Sequence, residues 1–169
     1  MNVIRPTVFS YKALHKLLLH EIHYNKIKSL QEWKPPLYLP QDIDTIERNI
    51  WKCRKTVIAG NPTTERPYYK YPLNLEERKK RIVLPEWYLL YWNPNDKSNL
   101  HSHPPGGCIW WLLEGKLNEL KPNKELKVIE TKPDGVALPN YAGAIHDYHQ
   151  IINSNDESVS LHVYWSQRQ

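Results

Sequence analysis

The amino-acid sequence predicts a mainly β chain in which a small antiparallel, double-stranded β-barrel follows an N-terminal helical cap. Up to about residue 60 the apolar residues recur at helical spacing, whereas beyond Asn61-Pro62 they follow the period of two that is typical of strands. Turn signals such as Asn93-Pro94-Asn95-Asp96 separate the later segments, as in all-β folds with short connections. A chain of 169 residues fits one domain. We therefore expect residues 1–60 to form the cap and residues 61–169 the barrel.

The cap is predicted to be helical. The segment from Thr7 to about Leu30 is expected to form one or two amphipathic helices, since its apolar residues lie three or four positions apart. The proline-rich segment 33–40 must end it. A second helix begins after Asp42 or Asp44, either of which can cap its first turn. Three histidines of the first helix lie beside Lys or Glu without forming an i, i+4 pair, and we expect them to be exposed rather than metal ligands: His15, His20 and His23.

The barrel is predicted as a series of short strands. Candidate strands are Tyr68–Leu73, Trp87–Trp92, Cys108–Glu114, Gly115–Leu120, Leu126–Thr131, Gly135–Leu138, His149–Asn153 and Val159–Trp165. The basic run Arg78-Lys79-Lys80-Arg81 follows Glu76-Glu77 and is predicted to be a solvated hairpin flank rather than a phosphate-binding patch.

Charge and composition exclude several classes of function. The net charge is +5, but Lys and Arg alternate with Asp and Glu along the chain, so we expect no nucleic-acid partner. The start of the sequence lacks a signal-peptide pattern and no apolar run approaches a transmembrane length. These features predict a cytoplasmic protein, and a monomer is expected. Cys53 and Cys108 are too few for a disulfide scaffold and should be free thiols.

Histidines supply the strongest functional signal. His101 and His103 are separated by one residue, so on a β-strand their imidazoles would project from the same face and could converge on one metal ion. A later histidine can complete the site. His149 precedes Asn153 by four residues on one strand face, while His146 follows Gly143 and remains an alternative.

A polar stripe occupies the last predicted strand. Alternation places Ser160, His162 and Tyr164 on one face, with Val159, Leu161 and Val163 on the other. On the pattern alone, this stripe can face either the barrel interior or the solvent.

These motifs resemble the two cupin motifs, H-x-H-x(3,4)-E-x(6)-G and a later H-x(3)-N. Cys108 stands where most cupins carry a ligating glutamate, Gly115 follows at the right distance, and the sequence is similar to the cysteine dioxygenase family over about residues 68–166. The resemblance implies a cupin jelly roll in which His101, His103 and His149 bind Fe(II). It further implies a Cys108–Tyr164 thioether, with Ser160 and His162 orienting the Tyr164 hydroxyl.

Substrate recognition departs from the family pattern. Cysteine-binding members of the family carry Tyr-x-Arg in an early strand, where the arginine holds the substrate carboxylate, and the matching positions here are Tyr68 and Lys70. Lysine neutralises a carboxylate as a point charge without the bidentate fork of arginine. Arg66 is a second candidate for this role, and Lys70 could instead be an ordinary exposed strand residue.

The function implied by the resemblance is oxidation of a small thiol by O2, with L-cysteine as the first candidate substrate and a sulfinic acid as the product. Related substrates are 3-mercaptopropionate and cysteamine. The alternative from another class is a non-catalytic cupin that binds a metal as a sensor or partner domain.

Overall fold

A computed structural model of the chain describes residues 11–24, 26–35, 39–40, 69–80, 84–131, 136–142, 148–154 and 156–165. The described helices are α1 (Tyr11–His23) and α2 (Leu75–Lys80). The described strands are β1 (Leu39–Pro40), β2 (Tyr69–Pro72), β3 (Glu86–Trp92), β4 (Cys108–Glu114), β5 (Lys116–Leu120), β6 (Leu126–Glu130), β7 (Val136–Ala137), β8 (Pro139–Ala142), β9 (Gln150–Ile152) and β10 (Ser158–Tyr164). Neither described helix has the length and hydropathy needed to span a bilayer.

The strands form two main antiparallel sheets. One has the order β2-β3-β10-β4-β8 and the other the order β6-β5-β9, while β1 pairs with β7 separately. Isolated bridges from Lys97 to Ile152 and from His101 to His149 place segment 97–101 beside β9. Segment 97–101 therefore takes the place of the second barrel strand. With it included, the two sheets of the described residues have the strand order of a jelly roll, in which Greek-key connections join the strands. The predicted mainly β double-stranded barrel is therefore confirmed.

Strand β10 is central to the larger sheet because it pairs with β3 on one side and β4 on the other. Its two faces are both buried, since alternate residues point into different apolar clusters. Val159, Leu161 and Val163 join the cluster between the sheet and the cap. Ser160 and His162 are also buried, on the face that β3 and β4 line with Leu90, Trp92, Trp110 and Leu112. The polar stripe thus faces the barrel interior.

The cap covers the outer face of this sheet. Leu14 and Leu18 of α1 are almost fully buried against Trp87 and Trp111, whose rings stack 6.2 Å apart. Burying apolar side chains of this size removes a large surface from water, which is the main force holding the cap to the barrel. The predicted helical cap is confirmed for α1. The predicted second helix after Asp42 or Asp44, together with Cys53, lies outside the described residues.

Arg78, Lys79 and Lys80 of the basic run belong to helix α2 and not to the predicted hairpin flank, while Arg81 lies outside the described residues. Its acidic residues occupy the first turn and its basic residues the last, as the helix dipole favours. Buried Asn74 links this helix to β3, because its side chain accepts from the Trp87 backbone N–H and donates to the Pro85 carbonyl. Arg78 forms an ion pair with Glu86. The charges alone could not reveal these tertiary contacts.

Strand β8 was not predicted, since the expected strand Gly135–Leu138 corresponds to β7 and ends before β8 begins. Pro139 begins β8, and β8 lies at the edge of its sheet. An edge strand tolerates proline because one side of its backbone needs no ladder hydrogen bond. The proline therefore marked the strand start and not a turn.

The prediction of exposed cap histidines is right for His20 and His23 and wrong for His15. The ring of His15 packs edge-on against Trp87 at a centroid distance of 5.8 Å. Neither of its ring nitrogens has a hydrogen-bond partner among the described residues. The helix packs this side chain against the sheet despite its charged sequence neighbours.

We expect protonation of His15 to weaken the attachment of the cap. Burial lowers the pKa of His15, against an opposing effect of Glu77. Above pH 6.5, the ordinary pKa, His15 is neutral in the folded and the unfolded chain, and its contribution to stability is fully present. As the pH falls from 6.5 toward the lowered pKa of the folded chain, the unfolded chain binds the proton more readily and this contribution is lost. His15→Phe should reduce the loss of unfolding free energy on acidification, measured by urea unfolding at several pH values. The exposed control His23→Phe should keep the wild-type pH dependence, and an unchanged dependence in His15→Phe would contradict this role.

Candidate metal centre

Three histidine side chains converge at one end of the barrel. The Nε2 atom of His149 lies 2.9 Å from that of His103 and 3.1 Å from that of His101. These three residues are the one group among the described residues whose ligand atoms meet closely enough to hold a metal ion. His103 and His149 are buried, and His101 is partly exposed. The candidate centre is thus open on the side of His101.

The segment with His101 and His103 is not the regular strand that the sequence analysis assumed. His101 forms a single bridge with His149, through backbone hydrogen bonds of 2.9 and 3.0 Å, and His103 lies in an irregular segment. Pro104 and Pro105 directly follow, and proline cannot donate to a strand ladder. Convergence therefore depends on the bridge between two distant parts of the chain as well as on local alternation.

Hydrogen bonds orient the imidazoles of His101 and His149. The Nδ1 atom of His101 lies 2.7 Å from the Asn99 carbonyl oxygen, and that of His149 lies 2.9 Å from the Glu119 carboxylate. Both oxygens accept, so each Nδ1 carries a proton, and the neutral form of each ring then has its lone pair on Nε2, the atom that faces the centre. Burial lowers the pKa of His101, which favours its neutral form.

This donor set fits a divalent first-row metal ion. Nitrogens that bind one such ion at about 2.1 Å each lie within about 4.2 Å of one another. The separations of 2.9 and 3.1 Å from Nε2 of His149 satisfy this limit, and all three ligand atoms lie within 4.8 Å of one another. Neutral imidazoles are ligands for first-row transition metals, whereas Mg²⁺ and Ca²⁺ prefer oxygen. The three histidines could therefore hold a transition-metal ion.

The sequence analysis missed Glu119. This residue lies on β5, and its side chain is 9% exposed and contacts His149. Burial acts to raise the pKa of Glu119, but the hydrogen bond with His149 and two nearby lysines hold it below its ordinary value. A signal was present, since Leu117 points inward and a strand places Glu119 on the same face. Carboxylates that accept from a ligating histidine fix its tautomer and orientation.

Cys108 and Tyr164 are direct partners across β4 and β10. Burial raises the pKa of the Cys108 thiol, while the Lys70 charge and a hydrogen bond with Tyr164 act in the opposite direction. The preceding loop packs tightly on the end of β10, since a Cβ at Gly106 would lie 2.1 Å from the Trp165 carbonyl oxygen. This close approach brings the start of β4 to Tyr164.

The polar face of β10 forms a chain of hydrogen bonds. The Ser160 hydroxyl lies 2.7 Å from Nε2 of His162, and Nδ1 of His162 lies 3.3 Å from the Tyr164 hydroxyl. The His162 ring stacks on Trp110 with a centroid distance of 5.3 Å. Burial lowers the pKa of His162 well below its ordinary value, and the Lys70 charge acts in the same direction. His162 is therefore neutral at pH 7.

Lys70 lies beside the Cys108–Tyr164 pair. Its Nζ atom is 3.9 Å from the centre of the Tyr88 ring and 4.8 Å from that of Tyr164, within the range of cation–π attraction. It is half-buried, so it is not the ordinary exposed strand lysine that was the alternative. Tyr68 and Arg66 lie outside the described residues, as does His146.

Two residues of the sequence motifs have structural roles. Gly115 adopts a φ of 91°, and a Cβ there would lie 2.3 Å from the Ser158 hydroxyl, so the tight connection between β4 and β5 needs glycine. Asn153 is fully buried, and its amide donates to the carbonyls of Trp92, Asn93 and Asp156. This residue therefore fastens the end of β9 to the end of β3.

No protein-family model matches the sequence, and no curated protein matches it. Several solved structures are similar in part. A cupin-like protein from Thermotoga maritima is 16% identical with a TM-score of 0.48, over 58% of this chain and 68% of that one. A predicted oxalate decarboxylase from the same bacterium is 17% identical with a TM-score of 0.47, over 59% and 81%. A polyketide cyclase from Streptomyces resistomycificus is 13% identical with a TM-score of 0.49, over 63% and 72%. At these identities and TM-scores, the likeness gives no information about the activity or the substrate of this chain.

We expect Glu119→Gln to weaken metal binding about 10- to 100-fold, because the neutral amide orients the His149 ring less firmly and makes its Nε2 less basic. Competition between the metal-free protein and a chromophoric chelator for Zn²⁺ would measure this change. Glu130→Gln is the matched control, since Glu130 is an exposed carboxylate on the neighbouring strand β6. Equal affinities of Glu119→Gln and the control would show that the carboxylate does not act on the centre.

Proposed function

We propose that this chain is a non-haem Fe(II) thiol dioxygenase, with L-cysteine as the first candidate substrate. The overall reaction is RSH + O2 → RSO2H, in which the sulfur loses four electrons and O2 accepts them. Both oxygen atoms enter the product, so no other reductant is required. The observation that carries the proposal is the pairing of Tyr164 with Cys108 in a barrel that also holds three converging histidines.

In this proposal, His101, His103 and His149 hold the metal ion as neutral ligands. Iron bound there would supply the centre at which a thiolate and O2 meet, and three uncharged ligands suit an anionic thiolate. The Tyr164 hydroxyl would donate a hydrogen bond to the reacting groups from the end of the Ser160–His162 chain. Lys70 would neutralise the substrate carboxylate. The lowered pKa values of His101 and His162 and the Lys70 ammonium beside the Tyr164 ring support these roles.

The second candidate is a metal-binding domain without catalytic activity. It is favoured by the contact of Lys70 with two tyrosine rings, because cation–π attraction could satisfy this charge without a substrate. A dioxygenase for 3-mercaptopropionate or cysteamine is the nearest variant of the main proposal, since it changes only the thiol.

We expect the protein, reconstituted anaerobically with Fe(II), to hold about one ion per chain and to consume O2 with at least one of these three thiols. His149→Ala should lose both iron and O2 uptake, whereas His146→Ala and the exposed control His23→Ala should keep both. Metal analysis and an oxygen electrode, with identification of the sulfinic acid, make the measurement. Iron binding without O2 uptake for any thiol would favour the non-catalytic domain, and iron retained by His149→Ala would refute the centre.

We propose that Cys108 and Tyr164 join in a thioether during turnover. The sulfur would bond to a ring carbon of Tyr164, with loss of the thiol hydrogen and one ring hydrogen to O2 as oxidant. The expected species is lighter by two hydrogens in intact-mass analysis. It should be absent from Cys108→Ala, while peptide mapping should find both residues in one cross-linked fragment. Two unmodified residues after extended turnover would exclude the thioether but not the dioxygenase.

Lys70→Ala should lower kcat/KM for cysteine and 3-mercaptopropionate by roughly 10- to 150-fold, because a hydrogen bond between charged groups is worth about 1.5–3 kcal/mol. Cysteamine has no carboxylate, so its kcat/KM should change little. Lys70→Arg should preserve turnover, since guanidinium also stacks on aromatic rings. Lys80→Ala is the control, since Lys80 is an exposed lysine of α2, and its kcat/KM should stay at the wild-type value. Equal losses for all three thiols would show that Lys70 acts through Tyr88 and Tyr164 and not on the carboxylate.

A further inference from the structure

Trp92 extends the hydrogen-bond chain of β10 by one residue. Its indole Nε1 lies 2.9 Å from the Ser160 hydroxyl, which is also in contact with Nε2 of His162. Trp92 is 1% exposed and Ser160 is fully buried, so water does not compete for this contact. Four side chains from two adjacent strands thus lie in series: Trp92, Ser160, His162 and Tyr164.

The chemistry of indole decides the direction of the first hydrogen bond. An indole N–H can only donate, so Ser160 must accept from Trp92. Ser160 keeps one proton of its own, and its second partner is Nε2 of His162. If Nε2 also donated to Ser160, the buried hydroxyl proton would have no acceptor among the described residues, an arrangement that folded proteins avoid. Ser160 therefore donates to a lone pair on Nε2.

The direction then passes through the imidazole ring. A neutral histidine with a lone pair on Nε2 carries its proton on Nδ1. That Nδ1 faces the Tyr164 hydroxyl at 3.3 Å and must donate to its oxygen. The hydroxyl proton of Tyr164 is then directed away from His162, toward Cys108, its hydrogen-bond partner across the sheet.

We propose that Trp92 is a positioning residue, which sets the tautomer of His162 and thereby makes the Tyr164 hydroxyl a donor into the barrel interior. The indole N–H lies beside Ser160 and cannot accept the hydroxyl proton. Without the indole, a water in the vacated space can accept that proton, so Ser160 can accept from Nε2–H and the hydrogen-bond chain can run in the opposite direction. Tyr164 would then donate to His162 and turn its lone pairs, rather than its proton, toward the interior. The consequence for catalysis rests on the proposed function, but the tautomer itself does not.

The tautomer of His162 can be measured in the metal-free protein, without substrate. In protein labelled with ¹⁵N-histidine, the shift of a protonated ring nitrogen differs clearly from that of a nitrogen with a lone pair. The signals of His162 are assigned by their loss in His162→Gln. We expect a proton on Nδ1 and a lone pair on Nε2 in the wild type. Trp92→Phe should introduce a population with the proton on Nε2.

Trp110→Phe is the matched control. Trp110 stacks directly on His162, but its indole N–H has no hydrogen-bond partner among the described residues. This variant changes packing around the ring without changing the hydrogen-bond chain, so it should keep the wild-type tautomer. If Trp92→Phe does not fold, Ser160→Ala tests the same chain one step later and should also yield a mixture.

Two results would overturn the proposal: a proton on Nε2 in the wild type, or a wild-type tautomer in the folded Trp92→Phe or Ser160→Ala variant. If the wild-type protein consumes no O2 with any of the thiols but Trp92→Phe shows the expected tautomer change, the role of Trp92 is supported and the proposed function is refuted. The two failures are therefore distinguishable.

Discussion

The antiparallel pairing of β10 with both β3 and β4 is the constraint on which the rest of the structure depends. Because the strand alternates with a period of two, one register places three valine and leucine side chains under the cap and three polar side chains inside the barrel. A shift by one residue would exchange these sets and bury polar groups against the cap. The apolar outer face therefore determines where Ser160, His162 and Tyr164 point, and the cap contributes indirectly to the candidate site.

Buried polar groups determine the directions of the hydrogen bonds inside this barrel. A buried donor or acceptor without a partner costs about 1–3 kcal/mol, so the satisfied arrangement is strongly favoured. Where one partner can only donate, as Trp92 does, or only accept, as Glu119 and the Asn99 carbonyl do, the direction of the neighbouring bond follows. The histidines at both places are then held in one tautomer. Fixed partners therefore leave the Nε2 lone pairs of neutral His101 and His149 at the candidate metal centre, and they direct the Nδ1 proton of His162 at the Tyr164 hydroxyl.

Charge is distributed unevenly across the interior. Burial lowers the pKa values of His101 and His162 and favours their neutral forms, while Lys70 is a cation held against two aromatic rings beside Cys108 and Tyr164. Its charge acts on the pKa values of His101, Cys108 and His162 in the direction that disfavours further positive charge.

Much of this architecture could be predicted from the sequence, because hydrophobic periodicity is a local property. The change of period after Asn61-Pro62, the alternation in β10 and the spacing of His101, His103 and Cys108 indicated the barrel, the polar stripe and the three histidines. Tertiary structure alone decided what depends on contacts between distant segments: the bridge from His101 to His149, the burial of His15 against Trp87, the helical α2, and the contacts of Glu119 and Trp92. Hydrophobic periodicity predicts which residues share a face of a strand. Which of the two faces is covered, and by which partner, is determined only when the strands pair.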